Sequence, residues 1–290
     1  MIRAFLPNPE EGFCLMTPEN EGRNAAEAFR NEHGLGSQPL GDLVSLIEKT
    51  TEHDVAVLDT EGADEHGLTM KDPKQDMVFI AVARTRNPMR QRSTLAHELS
   101  HVIFEDWFSG PDSQLSSRTH EEKRADAFAR HLLIPQEGIE NLVGHLHRDL
   151  TEADLSLVVQ HFLVSPPLAA IALCNGGYIS DTTKTAWMQL NTPTLATRFG
   201  WSQQYAMLQS DGDRPRLPQR LLTRTIAGYE EGVVSAQTIA VLRNIDVQDA
   251  IDELEAAGIF PSTPTVSWMD ANDLPDVSVF LDELDEELDA

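Results

Sequence analysis

Cysteine is nearly absent: of 290 residues only Cys14 and Cys174 carry a thiol. Two cysteines so far apart build no disulfide scaffold and match no metal-ligand spacing, so free thiols in a reducing compartment are expected. Long apolar runs are missing too, none reaching the ~18 residues of a membrane span. The segment MIRAFLPNPEEGF lacks an apolar core flanked by basic residues, and no secretory signal is predicted. A cytoplasmic protein without a membrane partner is the expectation. Basic residues are also scarce, 22 Lys and Arg against 47 Asp and Glu, for a net charge of −25. Such a surface repels phosphate backbones and disfavours direct DNA binding. Two local groups, Arg84, Arg86, Arg90 and Arg92, then Arg214, Arg216, Arg220 and Arg224, read as solvated faces.

At 41% hydrophobic residues the chain can form a large core divided into several units. Helical periodicity marks 24–33 and 40–49. Short β-branched runs follow at 54–58, 67–70 and 77–83, separated by polar turns at 61–64 and 71–74, and predict a three-stranded sheet. A helix containing residues 92–104 comes next. Beyond a polar loop holding Gly110, Pro111, Asp112 and Ser113, a second helix runs from Thr119 to Leu133 and stops at Pro135. Residues 151–163 and 166–173 outline a helix-turn-helix, which the acidic balance favours as a packed pair over a DNA reader. Helical stretches near 194–209, 217–229, 235–243 and 246–257 follow. Residues 261–269 resemble a linker, and the tail from Asp270 is acidic with no basic residue; Val279, Phe280, Leu281, Leu284 and Leu288 could let part of it dock as an amphipathic helix.

Within RSTLAHELSHVIF lies His97-Glu98-Leu99-Ser100-His101. Leu95, Ala96, Leu99, Val102 and Ile103 give this helix a buried stripe. His97 and His101 then project from one face, a turn apart, where two imidazoles can hold one Zn2+. Glu98, one residue round, is placed to take a proton from metal-activated water rather than to ligate. A catalytic site needs a third ligand. The densest source is HEEKRADAFARHLLIP from His120, where Glu122, Ala125, Asp126 and Ala129 share a face whose small residues admit a neighbouring helix. Glu122 is the candidate ligand and Asp126 a candidate acceptor for a ligand-histidine N–H. Glu121 competes, or both glutamates are solvated charges at a helix N-terminus. His120 and His131 read as surface or half-buried histidines.

RSTLAHELSHVIF followed by E-x-x-A-D-x-F-A-x-x-L-L-I-P resembles the ImmA/IrrE metallopeptidase family, and the resemblance spans roughly 40–180. It implies an α+β, zincin-like fold with helices packed on a small three-stranded sheet, followed by helix-turn-helix-like and C-terminal helical regions. It also implies one catalytic Zn2+ held by His97, His101 and Glu122, with Glu98 as general base. Asp126 stands where the family usually has Asn, and Ser100 where Gly is common. The corresponding domains are a zincin-like unit at 1–145, a helical pair at 146–182, a C-terminal helical module at 183–260 and an acidic tail at 261–290.

Proteins of this family commonly cleave a helix-turn-helix repressor, so the resemblance implies a zinc endopeptidase that derepresses stress, phage or mobile-element genes. The alternative is a non-proteolytic regulator or toxin–antitoxin component binding such a partner through the same fold. An intact Glu98 favours the enzyme. Residues 217–259 resemble C-terminal segments of some family members and small antitoxin helices, and read as a docking module or a structural cap. For substrate, Met77–Ala83 is the expected edge strand, with Phe79, Ile80, Ala81 and Val82 offering backbone hydrogen bonds to an extended peptide. Tyr178 and the arginines before His97 are candidate oxyanion donors.

Overall fold

The computed structural model describes residues 17–59, 67–72, 74, 77–107 and 119–262. Cys14, the turn at 61–64, Pro73 of the turn at 71–74, the loop at 110–113 and the acidic tail beyond residue 262 lie outside the described residues. The chain divides into two compact units, Met1–Leu222 and Thr223–Ala290.

In the first unit α1 (Pro18–Glu32) begins where Thr17 caps the helix and Pro18 fixes its first turn. Helix α2 (Leu43–Thr51) is capped by Asp42. Strands β1 (Asp54–Leu58), β2 (Gly67–Asp72) and β3 (Met77–Ala83) form one sheet in the order β1-β3-β2. β1 runs parallel to β3, with Asp54 opposite Phe79, and β2 runs antiparallel, with Gly67 opposite Val82.

Strand order corrects one expectation. β3 is the central strand, hydrogen-bonded on both sides, so Phe79, Ile80, Ala81 and Val82 offer no free edge to a peptide. Its residues Val78, Ile80, Ala81 and Val82 are buried, as a central strand's apolar run requires.

Helix α3 (Pro88–Ile103) follows with Asn87 as its cap and Pro88 in its first turn, then α4 (His120–Leu133) capped by Thr119. Helices α5 (Gln136–Val143), α6 (Glu152–Phe162) and α7 (Pro166–Asn175) continue the unit. α6 and α7 meet at 107°, the angle of a helix-turn-helix. Most of their apolar residues are spent on packing: Leu155, Val158, Val159, Phe162, Ala169, Ala170 and Leu173 are all in the core.

Helices α8 (Asp181–Trp187), α9 (Thr192–Arg198) and α10 (Ser202–Gly212) share that core through Trp187, Leu195, Ala196, Trp201 and Tyr205. They are not part of a separate module beginning at 183. The helix expected over 194–209 is two helices, because Gly200 adopts φ +82 between them.

Helix α11 (Gln219–Glu230) spans the division between units. The second unit contains α12 (Ala236–Arg243) and α13 (Val247–Ala256) around Tyr229, Ile239, Ala240, Ala250 and Leu254. Among the described residues no single helix is long and apolar enough to cross a membrane.

Candidate metal centre

Helix α3 lies against the sheet with its apolar stripe, Leu95, Ala96 and Leu99, buried. That orientation turns His97 and His101 toward α4. Their rings meet edge-on with centroids 4.9 Å apart and their Nε2 atoms 3.2 Å apart. Buried Ala125 and Ala129 give α4 a small-residue face, and Glu122 projects from its first turn. Its carboxylate reaches both rings, Oε2 at 3.2 Å from His97 Nε2 and Oε1 at 3.6 Å from His101 Nε2. One ligand atom from each of these residues lies within 4.8 Å of the other two. Glu121 is exposed and its carboxyl is held low by its own backbone N–H and by Thr119, so it serves the helix end instead.

The opposite side of each ring carries a second carboxylate. His97 Nδ1 lies 3.1 Å from Asp126 Oδ1, and His101 Nδ1 lies 3.5 Å from Asp106 Oδ2. Imidazoles that direct Nδ1–H toward a carboxylate leave Nε2 as a lone-pair donor. Two such nitrogens and a carboxylate converging on one point repel each other unless a cation lies among them. The same demand appears at His97: burial lowers its pKa, but hydrogen bonds to Asp126 and Glu122 outweigh this and raise it to about 9. Hydrogen bonding to His97 in turn lowers the Glu122 carboxyl. The donor set of two imidazoles and one carboxylate therefore fits a divalent metal ion.

Four residues that sequence reasoning passed over complete the site. Glu105 takes a left-handed conformation at φ 55, and Asp106 N–H bonds back to His101 O at 2.9 Å, which swings the Asp106 side chain under His101. Arg124 grips both Asp106 oxygens at 2.7 and 2.8 Å, reaches Glu21 of α1 at 3.2 Å and lies 3.9 Å over the Phe104 ring. On β2, Thr69 donates to Glu98 Oε2 at 2.6 Å. Gly67 leaves room for that carboxylate, since a Cβ there would come within 2.6 Å of Glu98 Oε1. No local pattern marks these four. A polar residue just past the helix C-terminus was the one available hint, for Asp106.

The arginine cluster before His97 is not uniformly solvated. Arg92 is buried and donates to Leu40 O, Gly41 O and Leu163 O, tying α3 to two loops, and burial lowers its pKa to about 10. Arg84 pairs with Asp59, and Arg86 and Arg90 are exposed. Arg216, from the second group, pairs with Asp42. Of the oxyanion candidates, Arg92 is committed to those carbonyls and Tyr178 packs beside Gly176.

Fold and site together define a metallopeptidase-type domain: an H-E-x-x-H helix beside a small mixed sheet, with a glutamate from the next helix completing a group that could hold a metal ion. Residues 50–173 match the family model Peptidase_M78, the IrrE N-terminal-like domain. Over those residues the chain resembles an ImmA/IrrE-type metallopeptidase domain, in line with its two motifs. Comparison with curated proteins gives no match.

Proposed function

We propose that the protein is a zinc-dependent endopeptidase that cleaves a helix-turn-helix transcriptional repressor in the cytoplasm. The observation that carries the chemistry is the convergence of His97 Nε2, His101 Nε2 and the Glu122 carboxylate beside Glu98. The repressor as substrate rests on the family resemblance.

Zn2+ held by those three residues would bring the pKa of water toward ~7 and polarise a peptide carbonyl. Glu98 accepts the proton of the attacking water and passes it to the leaving amine. Asp126 and Asp106 keep the imidazoles oriented. β2 is the edge strand nearest Glu98, and an extended peptide adding to it gains backbone hydrogen bonds. Direct DNA reading by α7 is disfavoured, because over Pro166–Asn175 the one basic or amide side chain is Asn175, at the C-terminal end of the helix. The free thiol of Cys174 suits a reducing compartment.

Metal analysis of purified protein tests the reading. About one zinc per chain is expected, lost in His97→Ala, His101→Ala and Glu122→Ala and kept in Glu121→Ala. Full zinc occupancy in Glu122→Ala would remove Glu122 from the ligand set.

A further inference from the structure

We propose that Thr69 is the positioning residue that fixes the carboxylate of Glu98, so that the edge strand and the proton acceptor form one working unit. The inference deepens the proposed function and rests on Glu98 being the proton acceptor.

Glu98 sits on α3 between the two histidines, and its helix alone leaves the three side-chain torsions of a glutamate unfixed. A base that swings among rotamers spends part of its time out of reach of the water. Thr69 answers this from outside the helix. Its hydroxyl lies 2.6 Å from Glu98 Oε2, a short charge-assisted distance, and 3.4 Å from Glu98 O. The single proton goes to the closer, ionised oxygen. Thr69 is itself well placed: it is paired opposite Ile80 of the central strand, and its β-branched side chain has few χ1 states.

Gly67 acts from the same strand face, two residues earlier. The absence of a side chain there leaves a slot in which Glu98 Oε1 and Cγ lie 2.6 and 2.9 Å from where a Cβ would stand. Strand periodicity puts residues 67 and 69 on one face, so one strand supplies the slot and the donor. One Glu98 oxygen is thereby occupied by Thr69, and the other is left to accept a proton.

The test uses the full chain loaded with cobalt(II), titrated with acetohydroxamate and followed by visible absorption. A hydroxamate gives up its O–H proton to a neighbouring carboxylate as it chelates a metal, so its affinity reports the placement of Glu98 without a peptide substrate. Thr69→Val, which removes the hydroxyl at constant shape, is expected to weaken hydroxamate binding about tenfold while cobalt affinity stays unchanged. Thr69→Ser is expected to bind within about twofold of the parent, since one hydrogen bond is kept. Glu98→Gln marks the full loss.

Parent-like binding by Thr69→Val beside a weakened Glu98→Gln overturns the role of Thr69 and leaves Glu98 as the base. Equal losses in Thr69→Ser and Thr69→Val overturn it as well, by assigning the effect to packing. Parent-like binding by Glu98→Gln removes the proton acceptor, and the proposal falls with it. If Thr69→Val fails to fold, Thr69→Ala judged against Thr69→Ser decides the same point.

Discussion

Val57 and Arg216 exchange two backbone hydrogen bonds, Val57 N–H to Arg216 O at 2.7 Å and Arg216 N–H to Val57 O at 2.8 Å. The pair covers the outer edge of β1 at Val57 with a segment far along the chain. With β3 central, β2 is the strand left to receive a peptide. Adjacent residues of an edge strand alternate between N–H groups bonded to the neighbour and N–H groups turned outward.

Of Met70→Pro and Lys71→Pro, one removes only an outward donor. That variant is expected to fold, keep metal and lose substrate cleavage. Phe79→Pro, in the central strand, removes a ladder hydrogen bond and is expected to unfold the domain. Chemical denaturation and cleavage assays separate the outcomes. Full cleavage by both β2 variants, correctly folded, would rule out strand addition there.

Gly67→Ala is expected to leave the metal site loaded and to displace Glu98. The added methyl meets Thr94 Cγ2 at 2.5 Å and Glu98 Oε1 at 2.6 Å, so both side chains must move, and the longer, more flexible glutamate gives way at its carboxylate. A fall in cleavage of roughly a hundredfold, the scale of general-base contributions, is anticipated at unchanged zinc content.

Much of this was visible in the sequence, and the boundary is instructive. The α3 and α4 motifs and all three strands follow from local periodicity, so His97, Glu98, His101 and Glu122 could be singled out. Strand order could not, because the parallel β1–β3 pairing is a tertiary choice that period-2 alternation does not encode. Thr69 and Gly67 reach Glu98 through the antiparallel β2–β3 pairing, which is equally a tertiary choice. Asp106 reaches His101 only through the left-handed turn at Glu105, a conformation that a non-glycine residue does not advertise. Helix α5 was missed because its eight residues include Gly138, whose bare Cα lets the helix approach Ser37 and Phe162.

Arg124 links the metal-ligand helix to both Asp106 and Glu21, and all three side chains are largely shielded, at 15%, 15% and 22% exposure. Removing the cation leaves two carboxylates facing each other. Arg124→Ala is expected to cost about 3 kcal/mol of stability and to weaken zinc binding by up to about tenfold through Asp106 and His101. Urea melts and metal titrations of the same variant check both effects.

Acid should weaken the fold through Asp42. Burial raises its carboxyl, but hydrogen bonds from Arg216 and Ser45 outweigh this and hold it at about 2, below its ordinary 3.8. A depressed carboxyl contributes stability that is fully present above the unfolded value and lost as pH falls through the folded one. The window is therefore pH ~4 down to ~2. At this half-exposed position solvent screening limits the contribution to about 1 kcal/mol. Denaturation curves of Asp42→Asn are expected to show a shallower loss of stability across that window than the parent.

The most direct test of the central claim is mass-spectrometric detection of cleavage when the zinc-loaded protein is incubated with a helix-turn-helix repressor, the proposed substrate. The parent is expected to cut one discrete bond, and Glu98→Gln to cut none while retaining the same zinc. Cleavage by neither protein under zinc saturation, or equal cleavage by both, would contradict a peptidase in which Glu98 is the general base.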